Sequence, residues 1–257
     1  TTPENGVTRM SLLTIENLRM QFGGLVAVDN VHFTLEPRQI AAIIGPNGAG
    51  KTTVFNCISG FYQPSGGQIT LDGEDITGLP SHHIAQKGLT RTFQNIRLFR
   101  EMTVLENLLV ARHNHLDTRY WSGILHSRRY RNSERVAKEH AAKWLDTFEL
   151  RAFANVEAGS LAYGQQRRLE IARCMMTAPR VLILDEPAAG LNPQETAALV
   201  TLIETLRDTH GISVLLIEHD MSLIMRVSEH IMVMENGRPI AYGSPDDIRN
   251  NPDVIKA

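Results

Sequence analysis

The chain has 257 residues, a hydrophobic content of 42% and a charged content of 21%, which is ordinary for a globular protein with a sizeable core. Its formal net charge of −2 argues against a protein dedicated to wrapping DNA. No stretch approaches the roughly 18 apolar residues of a membrane-spanning helix, and residues 1–10 carry no secretory signal. We therefore expect a cytosolic protein that reaches a membrane only by docking on other subunits. Cys57 and Cys174 lie in apolar stretches without CxxC spacing, which predicts buried thiols in a reducing compartment.

Apolar runs alternate with helical patterns along the chain, which predicts an α/β fold around a largely parallel sheet. The predicted strands are 12–18, 31–36, 39–44, 181–184 and 214–217. Residues 40–44 are apolar throughout, as expected of a strand that is buried on both faces. Ligands of open α/β sheets bind beyond the carboxyl ends of the strands, so the polar residues that follow these runs are candidates for a site.

A glycine-rich loop follows the third predicted strand. Residues 45–52 match the pattern GxxxxGK[ST] and precede a helix that is predicted to run to about Ser59. Main-chain N–H groups of such a loop cradle phosphates, the lysine Lys51 bridges β- and γ-oxygens, and the hydroxyl of Thr52 ligates Mg²⁺. A glycine-rich turn with an exposed lysine is the alternative. The sequence thus predicts an ATP-binding loop made of Gly45, Pro46, Asn47, Gly48, Ala49, Gly50, Lys51, Thr52 and Thr53.

The middle of the chain has a different pattern, because no buried strand is evident from about Ile96 to Ser160. Thr103 and Glu106 form a predicted capping box that opens a helix. A second helix is predicted over 133–148, and its apolar residues at helical spacing are Ala137, Ala141, Trp144, Leu145 and Phe148. Residues 112–131 give no clear prediction. The region is typical of a helical subdomain inserted into the α/β core.

Two acidic residues and a histidine follow later strands. Asp185 ends a buried run and can orient Mg²⁺, while Glu186 can act as general base on the attacking water. His219 follows the run at 214–217 and can hydrogen-bond a γ-phosphate and orient the water. Solvated acids and a structural histidine are the alternatives. The remaining histidines, such as His82, His83, His113 and His115, lack a ligand set at metal-binding spacing and are predicted surface residues.

A further helix is predicted to begin after Asn192, which is suited to the N-cap, with Pro193 in the first helical position. Gly211 is predicted to end this helix. Its predicted buried residues are Leu199, Leu202, Ile203 and Leu206.

The order of these motifs resembles the nucleotide-binding subunits of ABC transporters, over the range from about Leu12 to Ile248. The resemblance implies a P-loop NTPase (RecA-like) core with an N-terminal antiparallel β portion. It places the core at 12–95 and 165–257, the inserted α-helical subdomain at 96–164, and a loose segment at 1–11. It also implies that Phe22 stacks on adenine, although a core phenylalanine would look the same. Gln94 matches the glutamine that contacts Mg²⁺ or the catalytic water.

The stretch Leu161-Ala-Tyr-Gly-Gln165 occupies the position of the family's signature motif, usually Leu-Ser-Gly-Gly-Gln. In the family this motif acts on ATP held by another subunit, which implies nucleotide contacts for Ala162, Tyr163, Gly164 and Gln165. The absence of the serine hydroxyl removes a charge-assisted hydrogen bond, worth about 1.5–3 kcal/mol. Asn192 stands where the family usually has Asp, and its capping role accounts for that change.

Within the family the chain is most similar to the ATPase subunits of bacterial branched-chain amino-acid importers. The strings that carry the likeness are 60–67, 90–99, 161–173 and 185–193. The likeness implies a second ATPase subunit in a head-to-tail dimer, two membrane permease subunits and a periplasmic binding protein, with no nucleic acid. It implies a peripheral location on the cytoplasmic face of the bacterial inner membrane. Leucine, isoleucine and valine rest on this likeness alone.

Two alternative functions belong to other classes of protein. A soluble ABC-type ATPase that acts on nucleic acid or the ribosome usually carries a second ATPase copy or a long coiled coil, and this chain has neither. A metabolite kinase would use the P-loop but leaves the signature region and His219 without a role.

Overall fold

The structure, a computed structural model, describes residues 11–92, 96–112 and 128–256, and for residues 128–133 it describes the backbone alone. The strands are β1 (Leu13–Phe22), β2 (Leu25–Leu35), β3 (Ile40–Ile44), β4 (Gly66–Leu71), β5 (Glu74–Asp75), β6 (Leu89–Arg91), β7 (Val181–Asp185), β8 (Ser213–Ile217), β9 (His230–Glu235) and β10 (Arg238–Gly243). They form a four-stranded sheet in the order β2-β1-β4-β5 and a six-stranded sheet in the order β10-β9-β3-β8-β7-β6.

The six-stranded sheet is parallel except for β10, which pairs antiparallel with β9. Every residue of β3, β7 and β8 is buried. Alternate side chains enter two different apolar clusters: Ile44 and Leu184 lie on one face of the sheet, and Ile43 and Ile183 lie on the other. Burial on both faces is the reason that these strands are apolar throughout, and it confirms the prediction of a buried, largely parallel sheet.

The four-stranded sheet is antiparallel and covers one face of the second apolar cluster. The strands predicted at 12–18 and 31–36 are confirmed but were too short, because β1 and β2 meet in a hairpin at Gly23 and Gly24. The pairing register shifts three times between Ile15 and Gln21. Each shift breaks the inward–outward alternation by which a strand is recognised, so the outer half of the hairpin is inconspicuous in the sequence.

The described helices are α1 (Lys51–Ile58), α2 (Ser81–Gln86), α3 (Val104–Ala111), α4 (Arg128–Thr147), α5 (Tyr163–Met175), α6 (Pro193–Asp208), α7 (Met221–Val227), α8 (Pro245–Arg249) and α9 (Pro252–Lys256). Both predicted caps are confirmed. The Thr103 hydroxyl accepts from Glu106 N at 3.2 Å, and Glu106 Oε2 accepts from Thr103 N at 2.8 Å. Asn192 Oδ1 accepts from Glu195 N at 2.9 Å. These side chains satisfy main-chain donors that a helix leaves open at its start.

The region between β6 and α5 contributes helices to the first apolar cluster. Helix α4 confirms the helix predicted over 133–148, and its predicted apolar residues are all buried: Ala137, Ala141, Trp144, Leu145 and Phe148. Within 96–112 and 128–160 there is no strand, only an isolated bridge between Thr103 and Glu157. The domain boundaries themselves stay predictions, and residues 1–10 and 113–127 lie outside the described part.

Both cysteines are free and buried, as predicted. Burial raises the pKa of each thiol to about 12. Both thiols are therefore protonated and unreactive near neutral pH.

Candidate functional site

The turn from β3 to α1 brings the main chain close to its neighbours at two glycines. Gly45 has φ +146°, and a Cβ at this position would lie 2.1 Å from the carbonyl oxygen of Met234. Gly50 has φ +98°, and a Cβ there would lie 2.7 Å from the carbonyl oxygen of Ala27. Gly50 is the N-cap of α1 and provides no side-chain cap. The first N–H groups of α1 are therefore left to a ligand, which is the arrangement that binds anions at a helix start.

A cavity of about 440 Å³ opens above this turn. It brings residues of the predicted loop together with Glu186 and His219, which come from the ends of β7 and β8. Its lining residues are Leu25, Val26, Ala27, Asn47, Gly48, Ala49, Gly50, Lys51, Thr52, Thr53, Glu186, His219, Asn236 and Gly237. Three predicted features that are far apart in sequence thus face one space.

Lys51 is 6% exposed and lines the cavity together with Glu186. Its Nζ donates to the carbonyl oxygens of Gly45 at 2.7 Å and Pro46 at 2.9 Å, two predicted loop residues that are not among those lining the cavity. Burial lowers the pKa of Lys51, while the negative charges of Glu186 and Asp185 act in the opposite direction. Lys51 thus lines the cavity, and its contact with phosphate oxygens stays a prediction.

Asp185, the last residue of β7, forms an ion pair that the sequence did not predict. Its Oδ2 accepts from Arg91 Nη2 at 2.6 Å, and the two side chains are only 7% and 6% exposed. Arg91 also donates to Asn56 Oδ1 at 2.7 Å and to Ser59 Oγ at 3.1 Å. Arg91 therefore connects the strand β6, the C-terminal half of α1 and the carboxylate of Asp185.

Glu186 and His219 form a contact pair at the edge of the cavity. His219 Nε2 lies 3.0 Å from Glu186 Oε1. Glu186 has φ +47°, an uncommon conformation for a residue with a side chain, and its N–H donates to the Ile217 carbonyl at 2.9 Å. The turn directs the carboxylate toward the histidine. In this arrangement the carboxylate and the imidazole can both hydrogen-bond to one water molecule.

The donor set suits Mg²⁺ better than a protein-only metal centre. No cluster of three or more histidine, cysteine, aspartate or glutamate residues in 11–92, 96–112 and 128–256 could hold a metal ion. Mg²⁺ usually takes one or two protein oxygens and completes its shell with water and substrate phosphates. The Thr52 hydroxyl lines the cavity and is a ligand of that kind. The Asp185 carboxylate does not line the cavity and is bound by Arg91, so its predicted role is to orient the ion through water. Both roles stay predictions.

The signature stretch opens α5 and packs against the start of α6. A Cβ on Gly164 would lie 2.5 Å from Glu195 Oε1, so a larger residue here would have to displace the Glu195 side chain. The ring of Tyr163 lies against Gly190, where a Cβ would approach Tyr163 Cε1 to 3.1 Å. Among the described residues that line the cavity, none comes from 162–165. The nucleotide contacts predicted for Ala162, Tyr163, Gly164 and Gln165 therefore stay predictions for a second molecule.

Ala162 is the N-cap of α5 and has no side-chain acceptor for the first turn. Its φ of −59° and ψ of 152° already suit a capping residue. Ala162→Ser is expected to stabilise the protein by about 1 kcal/mol, because the hydroxyl can accept a main-chain N–H of the first turn. For a domain of this size, that raises the melting temperature by about 2–4 °C. Ala162→Val, which cannot cap, is the control, and an equal gain for valine would contradict the explanation.

Two other predicted site residues are placed differently. Phe22 ends β1, is 43% exposed and packs edge-on against Tyr62, with ring centroids 5.3 Å apart. It is not among the residues that line the cavity, where Leu25, Val26 and Ala27 contribute the apolar wall. Gln94 lies outside the described residues. The adenine role of Phe22 and the role of Gln94 both stay predictions.

Arg167 and Glu218 are buried charged residues beside the site that sequence reasoning missed. Arg167 is 1% exposed and donates to the carbonyl oxygens of Glu186 at 2.6 Å and Pro187 at 3.1 Å. Glu218 is 5% exposed and lies directly before His219. Glu218 could have been suspected from its position, since it directly follows the buried run at 214–217. Arg167 stands between Gln166 and Arg168, so the sequence carries no such signal for it.

Comparison with known protein families gives two matches. The ABC transporter family matches residues 28–189. The branched-chain amino acid ATP-binding cassette transporter family matches residues 238–257. Within 11–92, 96–112 and 128–256, no helix has the length and apolar character needed to cross a bilayer.

Several characterised or named proteins are similar over almost their whole length. The high-affinity branched-chain amino acid transport ATP-binding protein BraF of Pseudomonas aeruginosa is 61% identical over 246 residues, which cover 96% of each chain. The corresponding protein LivG of Escherichia coli is 56% identical over the same shares of both chains. Among solved structures, the ADP conformation of an ATP-binding cassette of an ABC transporter has a TM-score of 0.84 at 32% identity, over 96% of this chain and 98% of that one.

Proposed function

Because this chain belongs to the ABC transporter family, as an ATP-binding and ATP-hydrolysing subunit, we propose that it drives the uptake of branched-chain amino acids. The observation that carries the proposal is the cavity that joins the phosphate-binding loop to Glu186 and His219. The substrate class comes from the 61% identity to BraF, whose name states branched-chain amino acid transport. No residue of this chain is assigned to contact the amino acid.

The loop residues, Asp185 and Gln94 have proposed roles in holding ATP and Mg²⁺. The N–H groups of the loop and of the start of α1 hold the phosphates of ATP, and Lys51 contacts the β- and γ-oxygens. Thr52, Asp185 and Gln94 would hold Mg²⁺, which would neutralise charge on the phosphate oxygens. Arg91 keeps the Asp185 carboxylate in place through its 2.6 Å ion pair.

Glu186 is the proposed general base and His219 the group that orients the water. As the water oxygen bonds to the γ-phosphorus, its proton passes to the Glu186 carboxylate. The bond between the γ-phosphorus and the bridging oxygen breaks, and ADP leaves with that electron pair. The 3.0 Å contact between Glu186 Oε1 and His219 Nε2 supports this division of roles, because it fixes both groups at one edge of the cavity.

The proposed working assembly is a head-to-tail pair of ATPase subunits. Residues 162–165 are absent from the lining of the chain's own cavity, which supports their acting on ATP held by the other subunit. The other proposed partners are two membrane permease subunits and, indirectly, a periplasmic amino-acid-binding protein. Docking on the permeases places the chain on the cytoplasmic face of the bacterial inner membrane. The missing hydroxyl at Ala162 makes the two ATP sites unequal if the second subunit carries a serine.

Phosphate release and co-purification test the proposal together. The 257-residue chain with ATP and Mg²⁺ is expected to release phosphate steadily with no acceptor substrate present. Expressed untagged in its own cells, it is expected to co-purify with membrane subunits. A requirement for an acceptor would indicate a kinase, and association with ribosomes or DNA instead of membranes would contradict the transport role.

A further inference from the structure

Glu218 is a buried carboxylate with no part in the hydrolysis described above. It follows β8 and precedes His219, and it is 5% exposed. Its Oε1 accepts from the main-chain N–H of Ala188 at 2.6 Å, and its Oε2 accepts from the N–H of His219 at 3.0 Å. The N–H of Asp220 also contributes a hydrogen bond to this carboxylate. One side chain therefore binds two separate loops.

The first of these loops is the strained turn that carries Glu186. Glu186 has φ +47°, and the neighbouring Pro187 has no N–H to donate. The carbonyl oxygens of Glu186 and Pro187 are bound by the guanidinium of Arg167, at 2.6 Å and 3.1 Å. The N–H of Ala188 is bound by Glu218. The buried guanidinium of Arg167 thus binds the carbonyl oxygens of the turn, and the buried carboxylate of Glu218 binds the N–H of Ala188.

The second loop carries the histidine. Because Glu218 and His219 are consecutive, the bond to the His219 N–H fixes the main chain from which the imidazole projects. The same carboxylate therefore sets the distance between the backbone of His219 and the backbone two residues after Glu186. The side chains of these two residues meet at 3.0 Å.

The carboxylate carries an electrostatic cost. None of the ion pairs among the described residues involves Glu218. Burial raises its pKa, and the nearby charge of Glu186 adds to that effect, whereas the three main-chain N–H groups lower it. A neutral side chain at this position would avoid the free-energy cost of burying a charge. The presence of a carboxylate therefore suggests a functional role.

We propose that Glu218 is a positioning residue for ATP hydrolysis, whose carboxylate holds the Glu186 turn in register with His219. The proposal rests on the assignment of Glu186 and His219 made above. Displacement of a reacting group by about 1 Å can lower a rate by a factor of about 100. Glu218 is not among the residues that line the cavity, so ATP binding is expected to be independent of this side chain.

Glu218→Gln keeps the shape of the side chain and replaces one acceptor oxygen by an amide NH₂ that opposes an N–H. The variant of the 257-residue chain is expected to lose about 10- to 100-fold in kcat, with the KM for ATP within a factor of two of the original. Asp220→Asn is the matched control. Asp220 also accepts main-chain N–H groups, from Ser222 at 2.9 Å and Leu223 at 3.2 Å, but these caps lie within its own helix. Its kcat is expected to change less than twofold.

A double variant separates positioning from a general loss of structure. If Glu218 acts through Glu186, then Glu218→Gln is expected to cost nothing further in a Glu186→Gln background. An unchanged kcat in folded Glu218→Gln would overturn the proposal, as would a KM that rises as much as kcat falls, or independent losses in the double variant. If Glu218→Gln does not fold, Glu218→Asp serves, since its shorter carboxylate keeps the charge but falls short of Ala188. Full turnover by Glu186→Gln would instead contradict the assignment of Glu186 as general base, whatever the result for Glu218→Gln.

Discussion

Replacing Glu186 by Gln is expected to lower the rate of ATP hydrolysis by a factor of about 100 or more and to leave ATP binding intact. The amide cannot take a proton from the attacking water, and positioned general bases contribute factors of about 10²–10⁴. The proposed phosphate-binding loop does not depend on this side chain, because Lys51 is held by the carbonyl oxygens of Gly45 and Pro46. Uncleaved ATP should also hold two subunits together.

Phosphate release measures the rate of hydrolysis, and size-exclusion chromatography with ATP measures whether two subunits stay together. Glu229→Gln is a suitable control, because Glu229 pairs with Arg207 at 2.9 Å and is not among the residues that line the cavity. Its turnover should be unchanged. A Glu186→Gln variant with intact turnover would show that another group accepts the proton.

Arg167→Met is expected to have the largest effect on stability. The Arg167 and Glu170 side chains are 1% and 5% exposed and form an ion pair at 2.7 Å. Loss of one partner from a buried ion pair costs about 3–5 kcal/mol, since the other charge remains buried. In a chain of this size, about 2–4 °C of melting temperature is lost per kcal/mol, so a fall of about 10 °C is expected. Thermal unfolding followed by circular dichroism measures it.

Two further variants separate the causes of this loss. Arg135→Met removes one partner of an exposed ion pair, with side chains 65% and 57% exposed, and should cost less than about 1 kcal/mol. The double variant Arg167→Met and Glu170→Met should regain part of this stability, because neither charge of the pair is then left without its partner. Its hydrolysis should stay impaired, because the carbonyl groups of Glu186 and Pro187 lose their guanidinium donor. Equal melting temperatures for Arg167→Met and Arg135→Met would contradict the account.

The structural features that were both predicted from the sequence and found in the structure depend on local chemistry. The turn at Gly45 to Lys51 needs positive φ values and a helix start without a capping side chain, and both leave a signature in consecutive residues. The caps at Thr103 and Asn192 are likewise completed within three residues. Strands β3, β7 and β8 are buried on both faces, so their apolar runs are conspicuous.

The parts that were missed depend on contacts between distant residues. Arg91 and Asp185 are 94 positions apart, and Glu218 and Ala188 are 30 apart. Neither pair can be inferred from spacing, since only the parallel pairing of β6, β7 and β8 brings their ends to one edge. Strands β9 and β10 were also not predicted, although β9, like β3, has a hydrogen-bonded strand on each side. In each case the contact or the strand is determined by tertiary pairing, which the local sequence pattern does not reveal.

The central claim is that ATP hydrolysis by this chain drives the uptake of branched-chain amino acids. Uptake of labelled leucine, isoleucine and valine in cells that lack the chain tests it most directly, with the original chain and the Glu186→Gln variant each restored in turn. The account predicts that uptake is lost without the chain, returns with the original and does not return with the variant. Unchanged uptake in cells that lack the chain would contradict the transport assignment.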